Sequence, residues 1–95
     1  MLERAFGMVC DDPLEVQIWF STDQARYIQE RKWAMEQKIS KRKDGSIVVW
    51  MRASGWYDVK RWILSFGQDA EILEPQELRG EILEELKNNV GRYER

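Results

Sequence analysis

The side chains able to do covalent chemistry are few. The 95 residues contain no His and a single Cys, Cys10, so the commonest general base and metal ligand is missing and no internal disulfide can form. The chain has no glycine-rich phosphate loop, and no hydroxyl or thiol stands at a spacing that pairs it with a base. Asp58 and Glu30 are the kind of acid pair that general acid–base work uses, yet their spacing gives no reason to unite them. Glu77, Glu81, Glu84 and Glu85 read as the polar face of a helix whose N-terminal half they favour through its dipole, and not as metal ligands. These residues predict no enzyme, no metal and no cofactor. What remains is binding chemistry, carried by five Trp and a basic middle segment.

Ten of the fifteen Lys and Arg lie between Arg26 and Arg61, against four acids there. Asp69 to Arg95 reverses the balance, with eight acids against four bases. The overall charge of −2 argues against general attraction to DNA or anionic lipid as the main activity. The basic hairpin Lys38, Lys41, Arg42 and Lys43, and the pair Arg26 and Arg31 on the first helix, could meet phosphates or an acidic partner; a solvated edge that resists aggregation is the favoured reading of the hairpin. No apolar run approaches the roughly 20 residues that span a bilayer, and Met1 to Pro13 has no signal-peptide core. A cytoplasmic protein without membrane contact is expected.

The elements that position these side chains follow from periodicity. Residues 1–13 have none and read as a linker, leaving one domain over 14–95. Leu14, Val16, Ile18 and Phe20 alternate with polar residues and Trp19, the period of a half-buried strand. A helix then starts near Thr22, whose hydroxyl is expected to cap it, and runs to about Lys32. Lys43-Asp44-Gly45-Ser46 marks a hairpin between two further strands, the second showing Ile47, Val49 and Met51 on one face. Val59, Trp62, Ile63 and Phe66 keep helical spacing until Gly67 stops them. Ala70 to Leu73 is a fourth strand, and Pro75 opens a last helix with Leu78, Ile82, Leu86 and Val90 along one stripe.

The order β-α-β-β-α-β plus a helix predicts an α+β fold: a ferredoxin-like sandwich with an additional C-terminal helix and strand order 4-1-3-2. Its helices cover one sheet face, so Trp19, Trp50 and Arg52 must occupy the other. Aromatics with flanking bases on central strands can stack unpaired bases. Burial under a helix or partner is the favoured reading, since covering one large apolar side chain contributes about 1.5–3 kcal/mol. The acidic last helix is the expected cover.

The segments "RYIQERKW", "DGS", "RWILSFG" and "AEILEPQELR", in this order, resemble the C-terminal extension (WCX) of bacterial WYL-domain transcriptional regulators. The resemblance covers roughly Leu14 to Tyr93. It implies a parent chain with winged helix-turn-helix and WYL domains, from which residues 1–13 would be the connector. It also implies a domain that dimerises and couples an effector signal to DNA binding, without reading promoter DNA itself. Trp56-Tyr57 is not the Trp-Tyr-Leu signature of the WYL domain. The contact candidates are Trp19, Trp50 and Arg52 on the sheet and Arg26 and Arg31 by the first helix. Direct binding of single-stranded nucleic acid, or of a small effector between subunits of a homodimer, are the alternatives.

Overall fold

The computed structural model describes residues 14–34 and 36–95; the expected linker 1–13 lies outside the described residues. Strand β1 (Leu14–Phe20) leads into helix α1 (Thr22–Gln29). The hairpin of β2 (Glu36–Lys41) and β3 (Ile47–Ala53) follows, then helix α2 (Trp56–Leu64). A short 3-10 turn at Gly67–Asp69 enters β4 (Ala70–Glu74), and α3 (Gln76–Glu94) ends the chain. Every strand pair is antiparallel and the order across the sheet is β2-β3-β1-β4, the expected ferredoxin-like arrangement.

Alternation places Val16, Ile18 and Phe20 of β1 beside Ile47, Val49 and Met51 of β3 on one face, and all are buried. Ala25 and Ile28 of α1 and Val59 and Ile63 of α2 close over them. An aromatic chain fills the space between the two helices: Tyr27, Trp33, Trp62 and Phe66 make successive ring contacts, and Phe20 packs edge-on against Trp62 and Phe66. The Trp33 indole N–H donates to the Ile28 carbonyl at 3.0 Å, so the ring fastens the end of α1 as well as filling the gap.

Local chemistry corrects several expectations. Helix α1 ends at Gln29, because the Gln37 side chain reaches back and its carbonyl accepts from the Trp33 and Ala34 amides, fixing a turn where another helical turn was expected. Thr22 is not its cap: Ser21 precedes the helix without a side-chain cap bond, and the Thr22 hydroxyl donates to the Asp44 carbonyl at 3.0 Å. That bond ties the helix start to the hairpin tip, where Gly45 has φ of +93°. Gly67 does take the left-handed conformation, at φ +60°.

The largest correction concerns α3. Leu78 and Ile82 join the core, the Trp56 indole donates to Glu81 at 3.0 Å, and Lys60 pairs with Glu81 and Glu85 at 3.6 and 3.3 Å. Helix α3 therefore lies beside α2 on the helical side of the sheet and does not cover the opposite face. Arg79 reaches the β4 edge, donating to the Glu71 carboxylate at 2.7 Å and to the Ile72 carbonyl at 2.8 Å. The expected buried stripe extends only to Ile82; Leu86 and Val90 are largely exposed and line an open hollow with Leu64 and Gly67.

Candidate binding face of the sheet

The face opposite the helices is built by cross-strand register. Glu36 and Glu15 stand on either side of Arg52, Lys38 and Gln17 on either side of Trp50, and Ser40 and Trp19 on either side of Val48. Trp19 is followed outward by Glu71 of β4. Trp19, Val48 and Trp50 are half-buried by their neighbours, and no helix among the described residues lies over them.

Its electrostatics are largely self-contained. Arg52 donates to Glu15 at 2.9 Å and lies 3.5 Å from Glu36, so two carboxylates flank one guanidinium. The Arg52 hydrogen bond, and after it one from the Trp50 indole N–H, holds the Glu15 carboxyl below its ordinary value. The same Glu15 hydrogen bond, with the charge of Glu36, raises Arg52. The Lys38 ammonium sits 5.7 Å from the centre of the Trp50 ring, within cation–π range. Glu15, Glu36, Arg52 and Lys38 sum to no net charge around one indole. Such a patch suits contact with a protein surface better than capture of a phosphate chain, which needs uncompensated cations.

Of the expected contact residues, Trp19, Trp50 and Arg52 share this face. Arg26 and Arg31 do not: they accompany α1 on the helical side, Arg26 paired with Glu30 at 3.3 Å and Arg31 over the Tyr27 ring at 4.9 Å. Sequence reasoning missed Glu15, Glu36 and Lys38 as parts of the face. The signal was present, since a β1–β3 register that opposes Ile18 to Val49 also opposes Glu15 to Arg52.

Among the described residues, apolar hollows lie on the other side, among the helices. One, of about 200 Å³, runs between α3 and the α2–β4 connection and includes Leu64, Leu83 and Leu86. Another, about 310 Å³, has Trp33, Trp62 and Met51 in its wall and Asp58 in its lining. Among the described residues no group of three or more His, Cys, Asp and Glu could hold a metal ion, and no helix is long and apolar enough to cross a membrane.

A family model for the WCX domain matches residues 12–89, most of the chain and every element through the greater part of α3. The chain belongs to the WCX domain family. Membership associates this WCX domain with the C-terminal domains of WYL-type regulators, a regulatory family. The search of curated proteins gave no match.

Proposed function

We propose that this WCX domain is the regulatory C-terminal module through which a WYL-type regulator self-associates and relays an effector signal to its DNA-binding domains, with the open sheet face as a contact surface. The observation that carries this reading is the pair Trp19 and Trp50, held on two central strands of a face that α3 leaves uncovered. Half-exposed indoles on a rigid sheet are strong anchors for association, because each offers a large area with little side-chain entropy to lose. The charge compensation around Arg52 favours a protein surface as the occupant.

Sedimentation velocity of the chain over a wide concentration range tests the reading. A reversible dimer is expected, with a Kd that Trp50→Ala raises about tenfold or more. An unchanged Kd at matched folding stability contradicts the role of the face. Adding a short single-stranded oligonucleotide tests nucleic-acid binding in the same cell; a monomer that binds it, with affinity falling steeply as salt rises, favours base stacking on the face.

A further inference from the structure

The sheet ends in two different edges. At β4, α3 lies alongside and Arg79 satisfies the Ile72 carbonyl. At β2, no described element follows in the sheet order. Unpaired edge strands are templates for pairing with another chain.

The turn bonds fix which backbone groups face outward at that edge. Arg42 N–H donates to the Ser46 carbonyl at 2.9 Å, and these residues continue the Lys41–Ile47 register by one step. Antiparallel ladder bonds fall on every second opposed pair. Ser40, Lys38 and Glu36 therefore also bond inward to β3, and Gln37, Ile39 and Lys41 turn their N–H and C=O groups outward.

We propose that two copies of this chain join along β2, antiparallel, with Ile39 of each copy at the two-fold axis, making one continuous sheet. This deepens the self-association reading and rests on it. In that register Ile39 bonds to the partner's Ile39, and Gln37 and Lys41 bond to the partner's Lys41 and Gln37. All the outward groups of β2 are used, giving about six inter-chain bonds. On the open face Glu36 meets the partner's Arg42, and Lys38 meets the partner's Ser40.

Charge selects this register over its neighbours. Sliding one way by a full side-chain repeat opposes Lys38 to its own copy; sliding the other way opposes Lys38 to the partner's Arg42. Each displaced arrangement also leaves outward groups of β2 without partners. Lysines on an edge usually discourage pairing. Here they exclude the wrong registers and leave one in which no like charges stand opposite. In the joined sheet Trp50 lies one strand back from the joint and acts on it through Lys38, whose ammonium sits 5.7 Å from the ring centre, so Trp50→Ala frees the Lys38 that borders the seam and weakens the pairing.

Cross-linking tests the geometry directly. In a Cys10→Ser background, Ile39→Cys places two thiols on the axis, where opposed Cα atoms about 5.5 Å apart suit a disulfide. Mild oxidation is expected to give a covalent dimer whose yield exceeds that of Ser65→Cys, an exposed control just after α2. Lys41→Pro removes an outward N–H while sparing the bonds to β3; a Kd raised about tenfold or more, with unchanged thermal unfolding of the monomer, is expected. A wild-type chain that stays monomeric at all concentrations overturns the self-association reading and this proposal together. A dimer that cross-links no better through Ile39→Cys than through Ser65→Cys, and that survives Lys41→Pro, overturns the edge alone. If Leu86→Glu dissociates that dimer, its interface lies on α3 instead.

Discussion

Asp44 shows how much one short side chain can organise. Its carboxylate accepts from the Ser46 amide at 2.9 Å and hydroxyl at 2.6 Å, and its backbone carbonyl accepts from Thr22. The Ser46 hydroxyl, and then its amide, holds the Asp44 carboxyl below its ordinary value of 3.8. A carboxyl depressed on folding contributes stability that is present above its unfolded value and lost as pH falls through the lowered folded value. Glu15, depressed by Arg52, acts in the same direction. Urea unfolding between pH 7 and 3 should therefore show stability falling at the acid end, with a shallower fall in Asp44→Asn; parallel curves for the two proteins would contradict this. Beside it, Gly45 at φ +93° leaves a would-be Cβ only 3.0 Å from Thr22 Cγ2. Gly45→Ala should cost about 1–2 kcal/mol from the left-handed backbone alone, and a melt indistinguishable from wild type would refute that strain.

At the scale of elements, α3 divides into a sealed first half and a more exposed second half. Leu78 is fully buried, whereas Leu86 is 44% exposed. Leu78→Ala should destabilise by about 2–5 kcal/mol through the cavity it leaves, and Leu86→Ala by less than about 0.5 kcal/mol; equal losses in chemical denaturation would show that the helix docks along its whole length. The same helix marks what sequence pattern can reveal. Periodicity located it, because spacing of three and four residues is a local property. Its side of the sheet depended on tertiary partners far along the chain, Lys60 and Trp56 of α2, and no pattern within 76–94 encodes them. The early end of α1 has a similar origin in Gln37, eight positions beyond the last helical residue. The strands were legible for the opposite reason. Alternation in β1 and β3 and the Asp44-Gly45 turn fixed the faces, and with them the places of Trp19, Trp50 and Arg52 on the face away from the helices.

At the scale of the whole molecule, the described residues form one core with the helices on one side and an uncovered sheet on the other. The covered side accounts for stability: Ile18, Phe20, Val49, Ile28 and Leu78 are sealed from solvent. The uncovered side carries half-exposed indoles and a compensated ion network, features that a stable fold does not require and a docking surface does. The proposed relay role needs such a surface, because an effector acts only through contacts that differ between states. The most direct measurement is sedimentation velocity of the 95-residue chain across concentration, with and without a short single-stranded DNA. A reversible dimer, indifferent to the strand and weakened by Trp50→Ala, is expected. A monomer at every concentration that binds the strand in a salt-dependent way would contradict it.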